Sequence, residues 1–375
     1  MRSKYTANME IKKFNRSNIY LLLLENQGLS RQEIVLKLGL SLPTVTQNIE
    51  EMIGEGLVEE SGFIGNTGGR RARSYRAVLN ARVSIGLDVT KNHITCAAVD
   101  LSGNIIEYIR IRQKFESTDN YYKTLGSLVD DIIEKTKIQP SRVLGVGIGV
   151  PGLVTADNKR IFYGEILNFE GATSSEFGRH IPYPVSLHND ANAAGFAEIW
   201  SHDFLANSFY LMLSNNIGGS VLINGQIYSG ENLRSGEIGH LKLVPNGKQC
   251  YCGQKGCLDT YCAATVLANY TEGNLEKFFE KLHQKDPQAE TIWDEYLDYL
   301  AQTVSSINTL FDSTVILGGY VGEYIEEYLD DLKSRAAKLH PFVKNAKYLQ
   351  ACKYKKQAIA AGAALSYIDE FIASV

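Results

Sequence analysis

No stretch of this 375-residue chain stays apolar for the ~20 residues that a membrane-spanning helix needs. The run at residues 20–24 is short and lies inside a helical pattern. Residues 1–15 lack the apolar core and cleavage site of an export signal, which predicts a cytoplasmic chain with reduced thiols. The six cysteines then favour a metal over disulfides. A global basic field is missing as well: the net charge is -4, so composition alone does not announce nucleic acid. The shortage of positive charge is uneven, however. Residues 1–80 carry 11 Lys and Arg against 8 Asp and Glu, and the remainder carries 27 against 34. A small basic head on an acidic body suits a DNA-reading module joined to something else. Low-complexity segments are absent, and the length suggests two or three domains.

Residues 235–262, SGEIGHLKLVPNGKQCYCGQKGCLDTYC, hold four of the six cysteines. Cys250, Cys252 and Cys257 are clustered, with His240 upstream. One imidazole and three thiolates complete a tetrahedral zinc set, and a site closed by protein ligands is structural rather than catalytic. Gly253 and Gly256 let the backbone fold tightly enough to bring Cys252 and Cys257 to one ion. The alternative is a set of incidental core thiols, against which the clustering argues.

Within residues 1–80 the pattern predicts three helices and a wing. The first covers 15–26, with Ile19, Leu22 and Leu23 inward. Ser30 and Glu33 form a capping box before a second helix at 31–38, which Gly39 ends. A third helix starts near Pro43 and carries Val45, Ile49 and Met52 inward. Two short helices joined by a glycine turn make a helix-turn-helix, whose second member enters a major groove. Ser41, Thr44, Thr46, Gln47 and Asn48 are its short polar groups for base edges. Two strands near 57–60 and 73–77 flank the loop GNTGGRR, whose Arg70 and Arg71 can enter a minor groove. A protein-contact role for the same helices is the alternative.

The body, residues 81–375, opens with strands at 83–88, 94–100 and 105–111, and the same design returns at 208–213, 220–223 and 226–228. This duplication predicts two α/β lobes with mixed sheets and a cleft between them. Pro151 and Gly152 end a buried strand, and Asn168 lies in a polar loop. Asn189, Asp190 and Asn192 sit where a short strand turns into a helix, a place that can bind a polyol. The same side chains can instead cap the helix. Glu237 and His240 add an acceptor pair and a switchable donor.

Glu237-x-Gly239-His240 followed by Cys250-x-Cys252-Gly253-x-x-Gly256-Cys257 resembles the signature of the ROK family of sugar kinases and sugar-responsive repressors. The resemblance covers nearly the whole chain. It implies an α/β fold: an N-terminal winged helix-turn-helix, which the family's free-standing kinases lack, followed by a two-lobed, actin-like (ribonuclease-H-like) ROK body. By resemblance Asn189 and Asp190 hold the sugar, Asp190 matching the base of the kinases, with Glu237 and His240 as further contacts. Asp259 stands where the family usually has Glu, one methylene shorter. The family's kinases place glycine pairs on two hairpins that cradle phosphate; here those turns read Asp88-Val89-Thr90-Lys91-Asn92 and Ser214-Asn215-Asn216-Ile217-Gly218-Gly219. The expectation is therefore a non-enzymatic repressor of carbohydrate-use genes. It would bind double-stranded operator DNA on an inverted repeat as a homodimer or dimer of dimers, and hold a structural zinc. A monosaccharide or sugar-derivative effector would bind among Pro151, Gly152, Asn168, Asn189, Asp190, Glu237, His240 and Asp259. An ATP-dependent sugar kinase with an added head is the alternative, and a body that binds a phosphotransferase protein is a third reading.

Overall fold

Helix Arg2–Glu25 begins the head, far upstream of the expected start, because nothing from Arg2 to Phe14 is glycine or proline. The computed structural model describes residues 2–64, 72–200 and 206–375, so Arg70 and Arg71 lie outside the described residues. Ile19, Tyr20 and Leu23 are buried with Ile34, Val45, Ile49 and Met52. The capping box forms as the sequence predicts: Ser30 Oγ accepts the Glu33 amide, and the Glu33 carboxylate accepts the Ser30 amide at 2.7 Å. Gly39, at φ 65°, closes helix Arg31–Leu38. Ser41 caps Leu42–Gly54, with Pro43 in the first turn. Strands Val58–Ile64 and Ala72–Ala77 pair antiparallel, and Leu29–Ser30 adds to the second at Tyr75 and Ser74. The wing and the turn before helix Arg31–Leu38 thus belong to one sheet. Its third strand is two residues long, too short to leave a period in the sequence.

Two five-stranded sheets build the body. In the first, Val83–Val89, His93–Asp100 and Ile105–Arg112 run antiparallel in turn. On its other side Val83–Val89 runs parallel to Val143–Val150, which runs parallel to Val185–Asn189. The second repeats the plan, with Ser208–Leu213, Ile217–Ile223 and Gln226–Ile227 antiparallel and Thr314–Gly318 and Leu349–Ala351 parallel. The duplication read from the hairpins therefore extends to both crossover strands. Among the described residues, no helix is long and apolar enough to cross a membrane.

One helix, Ala358–Ser374, touches all three parts. Against the first sheet it has almost no side chain between: a Cβ on Gly86 would overlap the carbonyl oxygen of Ala360, and one on Gly147 that of Ala363. Gly362 is seated in the same way on Ala193 of helix Asp190–Trp200. Farther along, Leu365, Ile368 and Ile372 share a buried cluster with Ile19, Tyr20 and Leu23 of the head. The segment leading into the helix is pinned by Glu198, whose buried carboxylate accepts the amides of Lys353 at 2.9 Å and Tyr354 at 2.8 Å.

Because the obstructing atoms at Gly86 and Gly147 are backbone, Gly86→Ala or Gly147→Ala should destabilise the protein by about 3 kcal/mol, the upper part of the usual overpacking range. Gly54→Ala, where an added Cβ meets nothing within 4 Å, should leave stability within about 0.5 kcal/mol. Urea midpoints measured by circular dichroism give the comparison. Equal midpoints for all three variants would refute the close seating of the terminal helix.

Candidate functional site

Strand Val143–Val150 runs out into Pro151 and Gly152, and Val185–Asn189 runs into Asp190. Both loops leave the carboxyl ends of parallel strands, where open sheets place ligands. A cavity of about 180 Å³ lies there, and Pro151, Gly152, Asn189, Asp190, Glu237 and His240 line it. The capping and cleft-lining alternatives for Asn189 coexist. Its Oδ1 accepts the Asn192 amide at 2.9 Å, its Nδ2 donates to the Gly152 carbonyl at 3.1 Å, and the residue still faces the cavity. Asp190 Oδ1 accepts the Ala191 amide at 2.8 Å. Burial pushes Asp190 up to about 7, with help from the charges of Asp88 and Glu237. Burial likewise raises Asp88 to about 7, against the opposing charge of Arg110, and raises Glu237, against His240.

Two expected cleft residues are placed elsewhere. Asn168 is exposed at φ 52° in a turn, while its neighbours Leu167 and Phe169 are buried; it does not line the cavity. Asp259 is 8% exposed, and its Oδ1 accepts the Ile217 amide at 2.6 Å. Its short side chain holds the second hairpin instead of reaching the cavity. The sequence reading missed Tyr163, Glu165 and Tyr251, which also line the cavity. Tyr163 ends, and Glu165 follows, the small hairpin Leu153–Val154 and Ile161–Tyr163, whose Asp157-Asn158 turn was a usable signal. Tyr251 reaches the cavity only because its neighbours fold into the cysteine cluster, which no local pattern reveals.

Each altered hairpin has an amide engaged within the protein. In the first, the Thr90 amide and Oγ1 both donate to the His93 carbonyl at 3.0 Å, and the His93 amide donates to Thr90 Oγ1. In the second, the Ile217 amide is taken by Asp259. A carboxylate there places negative charge where a phosphate cradle presents free N–H groups.

His240, Cys250, Cys252 and Cys257 converge, with all their ligand atoms within 4.8 Å of one another. His240 Nδ1 is 3.9 Å from Cys250 Sγ, and Cys252 Sγ is 3.7 Å from Cys257 Sγ. Tetrahedral bonds of about 2.3 Å to sulfur place donors roughly 3.8 Å apart, so the group fits one ion. Gly253 at φ 80° and Gly256 at φ 79° make the turns that a side chain would resist. The other imidazole nitrogen, Nε2, is 3.3 Å from the Tyr251 hydroxyl, and both residues line the cavity.

On the head, Ser41 and Gln47 are exposed, and Thr44 and Thr46 partly so. Ser41 Oγ lies 2.8 Å from Thr44 Oγ1, and Gln47 Nε2 donates to Glu51 at 2.9 Å. Asn48 departs from expectation. It is 2% exposed and its Nδ2 donates to the Thr44 carbonyl at 2.8 Å, because it falls on the inner face with Val45, Ile49 and Met52. It therefore presents nothing to a base edge.

The raised Asp190 predicts a pH-dependent stability of definite sign. Its folded value, about 7, exceeds the ordinary 3.8, so the ionised form destabilises the fold above pH 7. That penalty fades as the pH falls through 7 and is gone below about 4. Asp190→Asn should melt higher than the wild type at pH 8, with the advantage shrinking steadily toward pH 4. A gap between the two melting curves that does not change with pH would rule this out.

The ROK family pattern matches residues 84–370, and a winged helix-turn-helix DNA-binding pattern matches residues 15–59. The xylose repressor of Bacillus spizizenii is 27% identical over 374 residues, covering 96% of this chain and 97% of that protein. Among solved structures, a ROK family transcriptional regulator described as a homologue of the E. coli Mlc protein superposes with a TM-score of 0.77 at 21% identity, covering 97% of each chain. A ROK family glucokinase from Streptomyces griseus, solved with glucose and AMPPNP, superposes at 0.63 and 23% identity, covering 76% of this chain and 98% of its own. The family match over residues 84–370 covers more than half of the sequence and settles the question: the chain belongs to the ROK family.

Proposed function

We propose that this protein is a cytoplasmic transcriptional repressor of carbohydrate-use genes, which binds operator DNA through its winged helix-turn-helix and releases it when a sugar occupies the cleft. The chain divides functionally into a DNA-binding domain at 1–80 and a sugar-binding body at 81–375. The observation that carries the reading is the shared helix. Ile359, in its first turn, lines the cleft cavity, and Leu365, Ile368 and Ile372 pack into the core of the head. A ligand that favours one lobe arrangement is therefore felt by the head through one rigid element. In this reading Pro151, Gly152, Asn189, Asp190, Glu237 and His240 contact the sugar, and Ser41, Thr44, Thr46 and Gln47 face DNA together with Arg70 and Arg71. A two-fold operator calls for a homodimer or a dimer of dimers. The xylose repressors among its relatives make a pentose the first effector to try.

The kinase alternative fares worse, because a nucleotide would have to displace the Asp259 carboxylate from the Ile217 amide to be held there. Asp190 then binds a sugar hydroxyl without turning the sugar over. Zinc is the ion that suits one imidazole and three thiolates, and its role is structural. It would fix one nitrogen of His240 and leave the other for the cleft.

Two outcomes test this. In gel shifts on the protein's own promoter, the cognate sugar should release the wild type, whereas Asp190→Ala should bind DNA equally well and stay bound at tenfold higher sugar. Release of the variant at the wild-type concentration would place the effector site elsewhere. Elemental analysis should find about one zinc per chain. Cys257→Ser should lose it and unfold the second lobe at lower urea. A folded, metal-free wild type would remove zinc from the account.

A further inference from the structure

A second cavity, of about 670 Å³, adjoins the first, and Leu153, Asn189 and Glu237 line both. Its walls are polar. The turn Asn224–Gln226 closes one side, and Ser366, Asp369 and Glu370 of helix Ala358–Ser374 close another. Phe196 adds an aromatic surface of the kind that packs against the C–H face of a sugar ring. Among the described residues no Lys or Arg lines this chamber. Burial lowers the His188 imidazole to about 4, so it supplies no cation either. A phosphorylated ligand would bring its charge against Glu237, Asp369 and Glu370 with nothing to offset it. A neutral polyol would find donors and acceptors on several sides.

We propose that this chamber receives the further units of a neutral oligosaccharide whose terminal unit occupies the cleft cavity. The inference rests on the reading of the cleft as a sugar site and goes beyond it, since it names a glycan of two or more units as the effector. Asn189 and Glu237 stand at the junction, so the glycosidic linkage passes beside them. The terminal helix gives the larger ligand its advantage as a signal. A single sugar unit in the cleft meets only Ile359 of that helix, whereas a glycan reaching the chamber also meets Ser366, Asp369 and Glu370. Those three lie on the stripe of the helix next to Leu365, Ile368 and Ile372, which pack on the head.

Titration calorimetry on the full-length protein would compare D-xylose, D-glucose, their β-1,4-linked disaccharides and D-glucose 6-phosphate. A disaccharide should bind at least tenfold more tightly than its own monosaccharide, and should release promoter DNA at a correspondingly lower concentration. Gln226 and Asp369 are exposed and line only the chamber. Replacing both, Gln226→Ala with Asp369→Ala, should abolish the tenfold preference and leave the monosaccharide Kd within twofold of the wild type. Asp190→Ala should lose mono- and disaccharide alike. Equal affinity for mono- and disaccharide overturns the chamber and leaves the cleft reading standing. So does tightest binding of the sugar phosphate, or a double variant that keeps the preference. Absence of heat with every sugar overturns the cleft reading and the chamber together.

Discussion

Backbone-to-backbone contact between helix Ala358–Ser374 and the glycines of its neighbours is the constraint on which the rest of the molecule depends. With Gly86 and Gly147 against the Ala360 and Ala363 carbonyls, no flexible side chain remains to absorb a change in spacing. Close-packed surfaces of this kind are bistable and not continuously deformable. The helix is bound to move with the first sheet, and Gly362 on Ala193 ties it to helix Asp190–Trp200 as well. Glu198 extends the same bracing at the far end of that helix. It holds the approach segment by two amides, and burial raises its carboxyl. Movement at Asp190 and movement of the head are thus two ends of one bracket.

In the proposed reading the cleft keeps its polyol-facing half and gives up its anion-facing half, and the exchange is made with ordinary hydrogen bonds. Thr90 closes the first hairpin on itself, and Asp259 closes the second from below. In each turn a side chain accepts from a backbone amide, Thr90 Oγ1 from His93 and Asp259 from Ile217, and an amide so engaged is not free to hold an anion. Burial of Asp88, Asp190 and Glu237 near one another raises all three carboxyls, which suits neutral hydroxyl partners better than further negative charge.

Much of this was legible in the chain. The Ser30–Glu33 box, Gly39 and the Ser41 cap are local chemistry, and local chemistry survives tertiary packing. The duplicated hairpins announced two lobes, and the spacing of His240, Cys250, Cys252 and Cys257 announced a four-donor cluster. The errors have a common cause, which is that the direction a side chain takes was decided by something distant. Asn48 looks like a groove reader beside Gln47, yet the helix period turns it inward to the Thr44 carbonyl. Asn168 sits between Leu167 and Phe169, whose burial throws it outward at positive φ. Asp259 is drawn to an amide 42 residues earlier in the chain. Leu349–Ala351 becomes a strand only because Thr314–Gly318 offers it an edge. Tyr251 is a further case, since its place in the cleft follows from the cysteine turns around it.

The position of that terminal helix in the chain gives its packing a temporal meaning. Residues 83–189 supply the first sheet and residues 2–54 the head helices, and all of them leave the ribosome well before residue 358. Domains fold largely in the order of synthesis. Until helix Ala358–Ser374 arrives, the glycine-lined face of the first sheet is bare and Leu23 and its neighbours lack part of their packing. A chain cut short before residue 358 therefore lacks the helix that lines the cleft at Ile359 and packs on the head at Leu365, Ile368 and Ile372. The order of synthesis, as much as the packing itself, therefore decides when the head and the cleft are joined through this helix.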